Sequence, residues 1–320
     1  MNGLAKNAVS LVKVDEEDAG QRLDNFLLAR LKGVPKSHVY KLVRGGQVRV
    51  NGGRADVSRR LLIGDEVRVP PVRVAHKAAA VPALLPGAAR LAAHVLFRDE
   101  FLLVLNKPAG WAVHGGSGIA RGVIEQLRLE NPQTRFMELA HRLDRETSGL
   151  LLVALKRRAL LGLHEALREG RTDKRYLALA AGAWMGETRH ARFPLHKYLT
   201  AEGERRVRVE AGGQAAHTVF TRRKSWPGYS LLEAQLKTGR THQIRVHLAE
   251  FGCPIAGDDK YGDFALNKAL AKQGLKRMFL HAWRLSLKHP VTGQALELEA
   301  PLPAELQNFI DHLDRHAATL

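Results

Sequence analysis

HRLDRETSGLLLVALK, residues 141–156, is the stretch from which the architecture is read. Its second half, Leu150 to Leu155, is an unbroken apolar run, the pattern of a strand buried on both faces. Ser148-Gly149 breaks the chain just ahead of it. Asp144 stands at the lip of that strand, with Arg142, Arg145 and Glu146 around it. A loop aspartate most often hydrogen-bonds its own backbone. Arginines on both sides also favour the charged form of a carboxylate, and an ionised carboxylate suits nucleophilic or base chemistry at a sugar. The residues alone leave both readings open.

Towards the N-terminus, HVLFRDEFLLVLNKPAG (94–110) holds two strand-like apolar runs, Val95 to Phe97 and Leu102 to Leu105, broken by Arg98-Asp99-Glu100. The glycine-rich segment His114 to Gly118 lacks the GxxxxGK[ST] pattern of a phosphate cradle and reads as a loop. Towards the C-terminus, DKRYLAL (173–179) alternates as a strand does, with Tyr176 and Ala178 on one side. A half-buried sheet tyrosine is the ordinary role there. In KTGRTHQIRVHL (237–248), Gly239 ends a strand and Thr241 is positioned to cap a helix running through Leu248. Arg240 and Arg245 read as surface charges. His242 and His247 are five apart, not at the four-residue spacing of a helical zinc pair, so no metal site is expected.

The whole chain has 320 residues and a formal net charge of +18, from 50 Lys and Arg against 32 Asp and Glu. That excess points to a polyanionic partner, nucleic acid first. Cys253 is the single cysteine, which excludes an intrachain disulfide and a cysteine-based zinc site and fits a reducing compartment. No stretch approaches the roughly 20 apolar residues of a membrane span. Residues 1–20 lack the apolar core of a secretory signal, so the expected location is the cytoplasm.

The charge is uneven. Residues 20–76 hold 12 Lys and Arg against 4 acids, whereas residues 1–19 hold 2 against 4. Within the basic segment, Leu23, Leu27 and Leu31 form one stripe of an amphipathic helix. Lys36 to Arg44 forms a second, with Val39, Leu42 and Val43 on one face and Ser37 as N-cap. QVRVNGGR then alternates into an Asn51-Gly52 tight turn, and GDEVRVP alternates again. Lys36, Lys41, Arg44, Arg49 and Arg54 cluster where the second helix meets the first strand. They are either a solvated basic face or a phosphate-contacting surface. The segment resembles an S4 RNA-binding domain, which implies binding of structured RNA. The proline-bearing stretch after it reads as a linker, giving divisions at 1–19 (extension), 20–76, 77–92 (linker) and 93–320.

HRLDRETSGLLLVAL also resembles, without a gap, the catalytic motif of the RluA/RluC branch of pseudouridine synthases. NKPAGWAVH (106–114), DKRYLAL (173–179), KTGRTHQIRVHLAEFGCPIAGDDKYG (237–262) and LHAWRLSLKHPVTGQ (280–294) match that family in order, and APLP (300–303) follows. In order and length the blocks are most similar to the RluC type, which acts on large-subunit ribosomal RNA. The resemblance implies an α+β fold, with a catalytic domain on a large mixed, mainly antiparallel sheet and a small N-terminal S4 module. It implies isomerisation of uridine: C1′–N1 breaks, the base turns, and C1′–C5 forms. Asp144 would be the catalytic aspartate, Arg245 its partner, and Tyr176 a wall against the uracil that assists proton removal from C5, with Lys174 ancillary. Arg142 would hold or replace the extruded nucleotide, with His141 and Arg240 also meeting RNA. No cofactor is implied, since the reaction is redox-neutral. The implied partner is large-subunit ribosomal RNA, free or in an assembling particle, met by a monomer with no membrane attachment. Two rivals are a non-catalytic ribosome-associated RNA-binding protein and a base-excising glycosidase. The joint presence of Asp144, Tyr176 and Arg245 argues against the first; the second typically needs two carboxylates.

Overall fold

The computed structural model describes residues 8–31, 33–72, 90–116 and 121–317. The chain divides into two compact units, one of residues 1–89 with 156–158, the other comprising the rest.

In the N-terminal unit, strand β1 (Ser10–Lys13) is followed by helices α1 (Leu23–Arg30) and α2 (Lys36–Arg44), then strands β2 (Arg49–Val50) and β3 (Glu66–Val69). The strands form an antiparallel sheet in the order β1-β3-β2. Val12 of β1 faces Val67 of β3, so the sheet takes in part of the segment assigned to an extension before residue 20. Leu23, Phe26 and Leu27 of α1 pack with Val39, Leu42 and Val43 of α2 and with Val50, Val67 and Val69 of the sheet. Asn51 and Gly52 both adopt positive φ, 53° and 77°, the conformation a tight hairpin turn requires. Ser37 does not cap α2. The helix begins at Lys36, and the Pro35 carbonyl accepts from the His38 and Val39 amides, so Ser37 lies inside the first turn. Asp24 is buried, accepting from Arg22 Nε (3.1 Å), Arg22 Nη2 (2.9 Å), the Tyr40 hydroxyl (2.8 Å) and the Asn25 amide (2.8 Å). The linker expected at 77–92 lies mostly outside the described residues; its end enters a 3-10 turn, Leu91–His94.

The larger unit continues with β4 (Val95–Arg98), β5 (Leu102–Lys107), α3 (Val123–Glu130), β6 (Glu138–Leu139), β7 (Ser148–Ala154) and α4 (Arg157–Arg168). Then come β8 (Thr172–Ala181), β9 (Thr188–Ala191), β10 (Leu195–Leu199), β11 (Arg205–Val209), β12 (Thr218–Trp226) and β13 (Tyr229–Leu236). Helices α5 (Gln243–Glu250) and α6 (Phe264–Lys272), strands β14 (Leu280–Lys288) and β15 (Ala295–Glu299), and helix α7 (Ala304–Ala317) complete it. Ten strands form one mixed sheet, ordered β4-β5-β7-β14-β8-β13-β12-β9, with β15 on β14 and β6 on β7; β10 and β11 form a separate ribbon. Every pairing in the large sheet is antiparallel except β7 with β14. The fold is therefore α+β on a large, mainly antiparallel sheet.

Every residue of β7 is buried, as its apolar run requires. The parallel pairing places β14 hard against Gly149, at φ +105°, where a Cβ would fall 2.2 Å from the Ala282 carbonyl oxygen. Only glycine fits there. Two hydrophobic cores serve the sheet, one around β5 and β7, the other around β8, β13 and α5, and Tyr176 packs against both.

Candidate active site

Asp144 lies on the loop between β6 and β7, and neighbouring groups fix that loop on both sides of it. The Lys107 ammonium, fully buried at the end of β5, donates to the carbonyls of Pro108 (2.9 Å), Trp111 (2.9 Å) and Arg145 (3.0 Å). Burial pushes its pKa down to about 7. Arg277 Nη2 donates to the Glu146 carbonyl (3.0 Å) and to Ser148 Oγ (2.9 Å). Ser148 Oγ in turn meets His281 Nδ1 at 2.8 Å, and His281 Nε2 meets the Ala300 carbonyl at 3.0 Å. His141 turns inward, its Nε2 accepting from the Leu152 amide (3.1 Å), and burial pushes it down to about 4. It thus buttresses the loop as a neutral ring.

Arg245, on α5, is 4% exposed and meets three aspartates, the exposed Asp259 only at 3.5 Å. Its Nε and Nη2 form a two-pronged pair with Asp258, both at 2.7 Å, and Nη1 donates to Asp144 Oδ2 at 3.1 Å. Burial opposes its charge, but the bonds to Asp258 and the charges of Asp258 and Asp144 outweigh it and raise its pKa. Burial likewise opposes ionisation of Asp258, and Arg245 overcomes it, holding that carboxyl below its ordinary range. A buried pair of this geometry, with its remaining lone pairs bonded, is the form in which ions are tolerated inside a protein. Asp258 also accepts from the Lys260 and Tyr261 amides.

The second oxygen of Asp144 faces His242. That residue precedes α5 in the left-handed region, at φ 53° and ψ 20°. The Tyr261 hydroxyl accepts from the Val207 amide (3.0 Å) and meets His242 Nδ1 at 2.7 Å. The other ring nitrogen, Nε2, stands 3.7 Å from Asp144 Oδ1. Burial lowers the pKa of His242, so an uncharged ring faces this oxygen at neutral pH. Thr241 is not the N-cap of α5, since the left-handed turn at His242 starts the helix at Gln243. The Gln243 side chain instead ties down the preceding turn: its Oε1 accepts from the Arg240 amide (2.9 Å) and Thr238 Oγ1 (2.8 Å).

Asp144, Tyr176, Arg245, Arg142, Arg240 and His242 line one open cleft of about 390 Å³, with Leu143, Leu236 and Leu280 among its apolar walls. Burial, and then the charge of Asp144, push the Tyr176 hydroxyl well above its ordinary pKa. Arg142 is exposed, and Arg240 keeps one bond, from Nε to the Ala215 carbonyl (3.1 Å). The read residues Asp144, Tyr176, Arg245, Arg142 and Arg240 thus converge. Lys36, Lys41, Arg44 and Arg49 are exposed on the N-terminal unit, where Lys36 and Arg44 flank the Tyr40 ring at 5.5 and 6.0 Å. Lys107, His242, Asp258, Tyr261 and Arg277 were given no role by the sequence. The first four stand inside the quoted blocks, but only their contacts reveal what they do. Of the glycine-rich loop, the Gly115 and Gly122 amides both donate to Glu125 Oε2, at 3.0 and 2.9 Å, so the chain's own carboxylate takes these donors. No group of three or more His, Cys, Asp or Glu among the described residues is arranged to hold a metal. None of the described helices is long and apolar enough to cross a membrane.

Sheet, cleft and small basic module together define a class of enzyme that acts on RNA, and comparison with known proteins gives that class its name. Residues 101–250 match the family model of RNA pseudouridylate synthases, residues 21–67 match that of the S4 domain, and the chain belongs to the RNA pseudouridylate synthase family. It is 50% identical over 307 residues to ribosomal large subunit pseudouridine synthase C of Pasteurella multocida, covering 96% of this chain and 94% of the relative. To the protein of the same name from Escherichia coli K12 it is 48% identical over 309 residues, covering 96% and 97%. Among solved structures, human RNA pseudouridylate synthase domain containing 4 superposes with a TM-score of 0.59 at 28% identity, over 70% of this chain and 94% of that one.

Proposed function

We propose that this chain converts uridines of large-subunit ribosomal RNA to pseudouridine, with Asp144 as the reacting carboxylate. The observation that carries the reading is the asymmetry of that carboxylate. Oδ2 is bonded to Arg245 at 3.1 Å, while Oδ1 has no hydrogen bond among the described residues and stands 3.7 Å from the His242 ring, beyond hydrogen-bond range. Oδ1 is therefore the oxygen free to act on the sugar, as nucleophile at C1′ or as base. Arg245 orients the carboxylate, and Asp258 fixes Arg245.

Tyr176 meets the uracil as a neutral phenol, a flat wall that can donate a hydrogen bond. Any proton passing from C5 through it must leave as another arrives. The reaction needs no net gain or loss of electrons: one C–N bond is exchanged for one C–C bond, C5 loses a proton and N1 gains one. A stacked uridine must leave its stack to enter the cleft, at on the order of a few kcal/mol. Arg142 and Arg240, exposed at the rim, are the cations that meet the strand as it does so. The S4 module adds sequence-independent affinity through Lys36, Lys41, Arg44 and Arg49.

The test is modification mapping of an unmodified large-subunit RNA transcript after incubation with the protein. Pseudouridine is expected at discrete positions, and Asp144→Asn should lower the rate by more than about 10³-fold while RNA affinity persists. A transcript left without pseudouridine, or an active Asp144→Asn variant, overturns the reading.

A further inference from the structure

We propose that Lys174 and Lys237 form a binding site for a phosphodiester of the RNA strand beside the target uridine. This rests on the reading that the uridine enters the Asp144 cleft. Lys174 and Tyr176 are two residues apart on β8 and so share a face, about 7 Å from each other along the strand. On the neighbouring strand, Leu236 pairs with Lys174 and Ala234 with Tyr176. Leu236 lines the catalytic cleft and also a second open pocket, of about 560 Å³, formed by residues 170–174 and 235–237. The two recesses are therefore neighbours across one leucine.

The second pocket's charge is only partly spent: Lys237 acts through space on Asp173, with no ion pair between them among the described residues. Lys174 is half-buried, and its ammonium lies 3.8 Å from where a Cβ on Gly239 would stand, in the turn that leads to Arg240. Among the described residues, neither the Lys174 nor the Lys237 ammonium has a hydrogen bond or an ion pair. Burial lowers the pKa of Lys174, with no acidic neighbour offsetting it. The acid that shares the pocket, Asp173, has both oxygens committed, one to Arg175 Nε and one to Gln235 Nε2, each at 2.8 Å. Arg171, at the rim, is engaged by Glu165 and Glu169. The buried Thr172 hydroxyl, on the same face of β8 as Lys174, has no hydrogen-bond partner among the described residues. A desolvated cation without a counter-ion is costly, and a passing phosphate supplies what the protein does not.

The experiment compares wild type, Lys174→Met, Lys174→Arg and Lys237→Gln on a uridine-containing RNA hairpin. In a matched series, each phosphate flanking the uridine is replaced in turn by a methylphosphonate. Fluorescence anisotropy reads affinity, and single-turnover kinetics read the isomerisation rate at saturation. Lys174→Met should weaken binding about tenfold. It should lower the slope of log affinity against log salt by about 0.7. One methylphosphonate should weaken wild type comparably and leave Lys174→Met unaffected, while Lys174→Arg keeps most of the affinity. Lys237→Gln should show the same pattern with a smaller change. An unaltered salt slope and undiminished sensitivity to every flanking phosphate in Lys174→Met would refute the site. If wild type binds but isomerises nothing, the functional reading fails, and the anisotropy series still decides the phosphate site.

Discussion

Two arginine–aspartate pairs, one in each unit, are built from the same groups and end differently. In the N-terminal unit, Arg22 grips Asp24 with two bonds, and Tyr40 and the Asn25 amide occupy the rest of the carboxylate. The bond from Arg22 is the largest influence lowering the pKa of Asp24. In the cleft, Arg245 spends two of its nitrogens on Asp258 and offers Asp144 one bond, leaving Oδ1 beside the His242 ring with no hydrogen bond among the described residues. The first pair is a finished structural joint. The second is a joint and a half, and the unfinished half is where chemistry can occur. Unused bonding capacity separates the two more sharply than charge or residue type does.

The comparison breaks most visibly at Asp258. Asp258→Asn keeps the shape but leaves Arg245 with a fraction of its buried counter-charge, at a cost of about 3–5 kcal/mol. The melting temperature should fall by on the order of 10 °C, with isomerisation lost alongside; calorimetry showing an unchanged transition would mean that Asp144 and Asp259 suffice to support Arg245. Asp24→Asn should cost about 1–3 kcal/mol in the N-terminal unit. Urea unfolding reads the loss, and the saturated isomerisation rate should be unaffected.

His281 extends the comparison to a group whose two ring nitrogens are both occupied. Burial holds its pKa at about 4, against an ordinary 6.5. Between those values the unfolded chain binds the extra proton, so stability is lost as pH falls from about 6.5 to about 4. The slope approaches about 1.4 kcal/mol per pH unit for this one group. Thermal melts over that range should flatten in His281→Gln. The smallest effect is expected at Ser37, whose hydroxyl caps nothing: Ser37→Ala should stay within about 0.5 kcal/mol, against about 1 for loss of a true cap.

Periodicity is enough to read the apolar part of β7, the α2 span and the Asn51-Gly52 turn, because each follows from local pattern and backbone preference; the strand nevertheless starts at Ser148, through the break expected at Ser148-Gly149, because β14 pairs there. The caps were misread where a neighbour overrode the local signal: Pro35 moved the start of α2, and a left-handed His242 displaced Thr241. No sequence rule places a non-glycine residue at positive φ before a helix; the hydrogen bond between His242 and Tyr261 is a long-range contact that accompanies it. Asp144, Tyr176 and Arg245 came from resemblance, since bare chemistry left a loop aspartate, a sheet tyrosine and a surface arginine equally acceptable. Lys107, Asp258 and Arg277 are polar residues with long-range partners, and such pairings are invisible in a single chain.

The Lys107 knot has a consequence for selection among uridines. The Lys107 ammonium ties the Arg145 carbonyl to those of Pro108 and Trp111, and Arg277 binds the Glu146 carbonyl, so the backbone just after Asp144 has little freedom to adapt. When a rigid site meets a stacked nucleotide, the bending falls on the nucleic acid. The positions chosen in a long RNA will then follow local pliancy, the ease with which a given bulge or loop deforms, as much as the identity of neighbouring bases.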